Sequence, residues 1–280
     1  MKNIKKMAMV TAILMLPLFA VSTFAQKKIS LNYNLTTGQS YDVTTEVAQE
    51  ISFEANEQSM TLDQIIRTKS VSEVGIVEND QLTINTTMSA MRMEQSIFGM
   101  EIIYDSEDPA TMENPMAQKI GEKLQELIGS TYATTLDKKG NVVKYDLGDF
   151  AKNEEMSDNI SSGNSYIVFP ENKVAAGDSW EADIKPMENS DMKVHSKYTL
   201  IKGSKKQAVI KVESTITANN AQGEEIKMSG SVIGEAIVDV KTGWTIESTM
   251  DMEMELELDQ NGMKFPATVS GTIILTSSPK

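Results

Sequence analysis

Residues 244–258 read WTIESTMDMEMELEL, and this stretch decides the fold. Trp244, Ile246, Ser248, Met250, Met252, Met254, Leu256 and Leu258 alternate with Glu247, Asp251, Glu253, Glu255 and Glu257. Side chains of period two point to opposite sides of a β-strand, so this is a strand with one apolar and one acidic face. Fifteen extended residues span roughly 50 Å, far beyond the usual five or six. The same alternation runs outward through the chain. It appears in Tyr41, Val43, Thr45, Val47, Ile51 and Phe53; in Leu82, Ile84, Thr86, Met88 and Ala90; and in Met192, Val194, Ser196, Tyr198 and Leu200. It returns in Ala208, Ile210, Val212, Ser214 and Ile216, and again from Met263 to Leu275. Strands of this length need bends or bulges, for which Gly230, Gly234 and Gly271 are candidates.

Polar turns separate the runs at Glu78-Asn79-Asp80, Lys202-Gly203-Ser204, Gln222-Gly223 and Gln260-Asn261-Gly262. Short loops between consecutive strands require antiparallel pairing. One helix is legible. Asn114-Pro115 starts it, Met116, Ile120, Leu124, Leu127 and Ile128 form a stripe, and Gly129 stops it, giving a helix over about 115–129. A weaker helix is expected over Gly148–Met156, followed by a connector at Ser161–Ser165. About a dozen strands with one apolar face each cannot be roofed by two helices, and at ~25 cal/mol per Å² that surface does not stay wet. The expected fold is therefore mainly β: a strongly curved antiparallel sheet or incomplete barrel, with the helix plugging or lidding it.

Two related halves are expected. Gly38-Gln39-Ser40-Tyr41 matches Gly177-Asp178-Ser179-Trp180, Asp80-Gln81-Leu82 matches Lys206-Gln207-Ala208, and Leu136–Val142 matches Val238–Trp244, in the same order. The domain reading is a leader at 1–25, a first β half at 26–160 carrying the helix as an insertion, and a second β half at 166–280.

Lys2, Lys5 and Lys6, the apolar run Met7–Val21, and Thr23-Phe24-Ala25 before Gln26 form a secretory signal peptide cut after Ala25. The run is shorter than the ~20 residues of a spanning helix. The chain is expected to be periplasmic or secreted and not membrane-spanning after cleavage. It has 280 residues with 26 Lys+Arg and 40 Asp+Glu; the leader holds three Lys and no acid, leaving a charge of −17 on the mature chain. Such an acidic surface disfavours nucleic acid and anionic lipid headgroups. Absence of Cys excludes disulfides, thiolate catalysis and Cys–zinc sites.

Candidate chemistry is sparse. His195, the single histidine, lies out of phase with its strand's apolar positions and between Lys193 and Lys197, which would disfavour its protonation. The Met250, Met252, Met254 ladder reads as pliable core or apolar groove, with Cu(I) ligation as the rival reading. Asp105-Ser106-Glu107-Asp108-Pro109 reads as a turn into the helix, with a Ca²⁺ loop as its rival. No hydrolase elbow, zinc-protease motif, phosphate loop or dinucleotide fingerprint occurs, and no catalytic residue, metal site or cofactor is expected.

Gly38-Gln39-Ser40-Tyr41, Tyr104-Asp105-Ser106, Asn114-Pro115, Gly177-Asp178-Ser179-Trp180 and Lys241-Thr242-Gly243, with the leader ending Phe24-Ala25-Gln26, resemble an uncharacterised family of exported β-rich proteins common in Bacteroidota. The resemblance covers about residues 29–276 and brings no functional residues with it. At the level of fold alone, the sheet with one helix also resembles the periplasmic half-barrel carriers of lipoprotein acyl chains. Two functions are carried forward. One is an exported non-enzymatic protein binding a hydrophobic or amphipathic ligand such as a lipid, lined by Met116, Ile120, Leu124, Met250, Met252 and Met254. The alternative is an envelope structural or interaction protein with a filled core, whose acidic outer face meets a protein partner.

Overall fold

The computed structural model describes residues 28–55, 58–97, 99–148, 166–184, 191–221, 224–260 and 263–280. The leader, the second helix beyond Gly148, the 161–165 connector and the turns at 222–223 and 261–262 lie outside the described residues.

The first half of the chain forms β1 (Ser40–Ala55), β2 (Gln58–Glu78), β3 (Gln81–Ile97), β4 (Met100–Asp105), the helix α1 (Pro115–Leu124), β5 (Thr131–Asp137) and β6 (Val142–Asp146). The second forms β7 (Ser179–Ile184), β8 (Lys193–Gly203), β9 (Gln207–Ala221), β10 (Glu224–Asp239), β11 (Thr245–Gln260) and β12 (Met263–Pro279). All pairings are antiparallel, in the order β6-β5-β3-β2-β1-β12-β11-β10-β9-β8-β7, with β4 beside the upper part of β3. The result is a mainly β, nearly closed barrel-shaped sheet with a single seam, between β6 and β7. The long β1–β12 ladder, from Tyr41↔Pro279 to Phe53↔Ala267, joins the two halves into one sheet.

The turns behave as their residues dictate. Asn79 and Asp80 both take positive φ, as a tight hairpin between right-twisted strands requires. In β3 the alternation breaks once. Met88 pairs with Ser70 and Ala90 with Lys69, so Ser89 is the extra residue and its hydroxyl bonds the Lys69 carbonyl at 3.0 Å. The bulge resets the phase, and Met91 and Met93 replace Ala90 on the inner face.

One end of the barrel is filled by chain from outside the strands. Residues 29–36 run across it, bridging Ile29 to Val174. Tyr33 N donates to the Lys138 carbonyl and Asn34 N to the Thr242 carbonyl, which ties the β5–β6 and β10–β11 turns to one crossing segment. Leu31, Tyr33 and Leu35 point into the core and are at most 4% exposed. Ile167, Val168 and Phe169 enter from the seam side, and the Tyr33 hydroxyl both donates to Ile167 O (3.2 Å) and accepts from Ile167 N (3.1 Å). Tyr41 stacks on Trp244 at 4.3 Å, and Trp180 on Tyr198 at 5.6 Å. Sequence reading omitted this crossing segment, although Leu31-Asn32-Tyr33-Asn34-Leu35 alternates as cleanly as any strand.

The helix starts as expected. The Asn114 side chain accepts from Met116 N and Ala117 N, and Pro115 occupies the first turn. A 3-10 turn over Gln125–Leu127 extends it, and Gly129 ends it at φ +84°. Its buried face differs from the expected stripe. Ala117 and Gly121 are buried whereas Met116 is 48% exposed. A Cβ on Gly121 would collide with the ring of Tyr104 and the side chain of Met112, so small residues let the helix lie close on β4.

Candidate functional site

Register carries one inner face around the sheet, because residues paired across a ladder share a side. Val47 pairs with Ile66 and Ile273, and Ile273 with Met250. Met250 pairs with Gly234, Gly234 with Val212, Val212 with Tyr198 and Tyr198 with Trp180. Tyr198 and Val212 belong to the core and Met250 packs against it, so the methionine face of β11 is the inner one. Asp251, Glu253 and Glu255 face outward and are exposed.

The inner face is unevenly filled. Towards the crossed end, Ile84, Leu136, Ile210 and Val238 have no exposed surface. Towards the other end, on β1, β11 and β12, Ile51, Phe53, Met252, Met254 and Val269 remain half-buried. Apolar lining thus continues past the point where the interior is packed, and forms a trough. Tyr104 pairs with Met93, which pairs with Ile66, so Tyr104 stands on this inner face and α1 lies over it on the concave side.

Each β11 methionine in the trough has a glycine across one ladder: Met250 has Gly234, Met252 has Gly271 and Met254 has Gly230. A Cβ at Gly230 would meet Glu253 O at 2.5 Å and Met254 Cγ at 2.8 Å, and one at Gly234 would meet Met250 Sδ at 2.9 Å. These glycines allow the tight coiling and clear room for the thioethers to lie along the wall. Sequence reading identified the glycines as bends and the methionines as lining, but not their pairing. Of the helix residues expected to line the site, Ile120 and Leu124 are half-buried and Met116 projects to solvent.

The remaining candidates are accounted for on the outer surface. His195 Nδ1 lies 2.8 Å from Asp183 Oδ1, with Glu181 3.9 Å from Nε2. The hydrogen bond to Asp183 raises the His195 pKa, which corrects the expectation drawn from Lys193 and Lys197. Register outweighs sequence neighbours here, because β7 places Asp183 directly opposite His195. In the 105–109 turn, Asp105 accepts from Glu107 N and from Arg92, Glu107 pairs with Lys69, and Asp108 caps Ala110 N. Burial alone would raise the Asp105 pKa, but those donors outweigh it and hold the carboxyl below its ordinary value. Each of these carboxylates is engaged in building the turn. Among the described residues, no three His, Cys, Asp or Glu side chains converge as a metal site.

At the seam, residues 168–174 and the β7 edge enclose an open cleft of about 650 Å³, with Lys28, Glu171, Lys173, Trp180 and Asp183 on its walls. Its lining is mixed in charge, unlike the apolar trough.

The sequence model of a family of unknown function (DUF6263) matches residues 145–245. No curated protein matches the chain. Among solved structures, a lipovitellin determined for its lipid–protein interactions is similar at a TM-score of 0.48 and 8% identity, over 87% of this chain and 25% of the lipovitellin chain. The chain therefore spans about a quarter of that protein's length. The translocator domain of the autotransporter NalP from Neisseria meningitidis is similar at 0.24 and 10% identity, over 86% and 89% of the two chains. An outer membrane channel from Pseudomonas putida F1 is similar at 0.27 and 8% identity, over 88% and 97%. Likenesses this slight carry no argument about what the chain binds or does.

Proposed function

We propose that this chain is an exported, non-enzymatic protein that holds a hydrophobic or amphipathic ligand along the concave face of its sheet. One observation carries the reading: the apolar inner face runs on beyond the filled end of the barrel, with Ile51, Phe53, Met252, Met254 and Val269 half-buried. At ~25 cal/mol per Å², an alkyl chain laid along that wall gains several kcal/mol. Met250, Met252 and Met254 form the adaptable floor, because thioethers repack around different chains. The helix, with Ile120 and Leu124, closes the β4 side. The reading includes a leader removed after Ala25, a periplasmic or secreted location, and an origin of the two halves as copies of one β unit. The last is supported by Gly38 and Gly177, which share positive φ and donate to equivalent carbonyls, of Val74 and Leu200.

Native mass spectrometry of protein purified from its own compartment, with lipid extraction, tests the proposal. The expected result is a co-purifying lipid-sized mass that is released on denaturation. Protein that carries no such mass and does not bind the neutral apolar probe N-phenyl-1-naphthylamine would end it. The alternative, an envelope module meeting a protein partner, draws on the exposed acidic ladder Asp251, Glu253 and Glu255. Crosslinked recovery of a single partner, lost when those acids become amides, would favour it.

A further inference from the structure

A row of carboxamides interrupts the apolar trough. Gln49 of β1 pairs with Gln64 of β2, and Gln64 with Gln95 of β3, so three carboxamides stand side by side on the inner face. The heights on either side of them on these strands are apolar: Val47, Ile66 and Met93 below, Ile51 and Leu62 above. The carboxamides do not satisfy one another. Gln49 Nε2 donates to Gln64 Oε1 at 2.7 Å, and Gln64 Nε2 reaches only Met93 Sδ, a weak acceptor, at 3.5 Å. Among the described residues, the Gln95 side chain has no hydrogen-bond partner. One height below, the Tyr104 hydroxyl is buried beneath the helix and has no hydrogen-bond partner among the described residues. On the opposite wall at the glutamine height, Ser196 and Ser214 are buried and bond each other at 2.8 Å.

Charge is missing from the same surface. At the glutamine height and the heights next to it, no described inner-face strand residue is ionisable as an acid or a base in the neutral range; the Lys, Arg, Asp and Glu of these strands stand on the outer face. A ligand carboxylate lying there would lose water without gaining a cation, which is costly. A pure hydrocarbon would cover the carboxamides and leave their donors and acceptors unmet. An ester offers acceptors alone. A secondary amide offers an acceptor and one donor in a plane, which can meet both an N–H and the carbonyl oxygen of the Gln95 carboxamide.

We infer that the ligand is a long-chain acyl amide, its alkyl tail on the apolar heights and its uncharged amide against Gln49, Gln64 and Gln95. The inference rests on the trough being the binding site, and its test separates the two. N-phenyl-1-naphthylamine is bound to the full-length mature protein and displaced with three chain-matched ligands: N-methylmyristamide, methyl myristate and myristate at pH 8. The amide is expected to displace the probe at about tenfold lower concentration than the ester, with the carboxylate weakest. In Gln64→Leu/Gln95→Leu the probe still binds and the amide and ester displace it alike; the single Gln95→Met, at a half-buried position, serves if the double variant does not fold. Equal displacement by amide and ester in the wild type, or an amide preference that survives the substitutions, would overturn the acyl-amide assignment while leaving an apolar trough. Failure of the probe and of all three chains to bind would instead remove the trough as a site, and both readings with it.

Discussion

The two ends of the barrel are built from the same strands with the same alternation, yet only one end is solid. At the crossed end, residues 29–36 and 166–169 bring Leu31, Tyr33, Leu35, Ile167, Val168 and Phe169 between the walls, with Tyr41 stacked on Trp244 and Trp180 on Tyr198. At the other end, β11 and β12 continue with Met252, Met254 and Val269 on the inner face and no such crossing chain among the described residues. An alternating strand specifies that a face is apolar. What covers that face is a separate matter, settled by segments elsewhere in the chain.

The sharpest way to break this contrast is to empty the solid end. Tyr33→Ala removes a fully buried ring and its paired hydrogen bonds with Ile167, and is expected to cost about 3–5 kcal/mol in denaturant titration. A loss below about 1 kcal/mol would mean that the crossing segment is not part of the core. Next in size is Gly140→Ala. Gly140 has φ +91°, and a Cβ there would strike the Ile167 carbonyl and the Tyr33 ring, so a loss of about 2–3 kcal/mol is expected. Gly177→Ala, at φ +92° with open space around it, should cost only about 1 kcal/mol. If the two variants melt alike, steric closure at the base is wrong.

At the open end the balance reverses. Met252→Ala is expected to cost about 1 kcal/mol or less in stability while weakening N-phenyl-1-naphthylamine binding several-fold, whereas Ile210→Ala, wholly buried, should cost about 2–5 kcal/mol. Equal stability losses would show that the trough is packed after all. The smallest effect lies outside both ends. His195 has a raised pKa through its hydrogen bond to Asp183, so the bound proton favours the folded state. That contribution is complete below the unfolded-state pKa and is lost as pH rises through the raised folded-state value. Asp183→Asn should bring the pKa of this single histidine down towards its ordinary value, followed by NMR titration. An unchanged titration would remove the pair.

Much of the fold was legible. The strands from Tyr41, Leu82, Met192, Ala208, Trp244 and Met263 follow from period-two alternation, and the helix start follows from Asn114-Pro115. The site was legible in part. Met250, Met252 and Met254 lie on the inner face, as their alternation required. Met116 does not join them, because close packing on Tyr104 selects Ala117 and Gly121 as the buried residues of the helix. The glutamine row could not be seen, since Gln49, Gln64 and Gln95 meet only through the register of two ladders. The same is true of His195 and Asp183.

Taken alone, the amino-acid order determined which side of each strand is oily, where the chain turns, and that two helices could not roof a dozen strands. Tertiary structure decided how far up that oily wall the interior is packed, and which polar groups stand together on it. The reason is range: alternation is a property of neighbours along the chain, whereas filling and register depend on segments that meet across more than a hundred residues, as Tyr33 and Ile167 do.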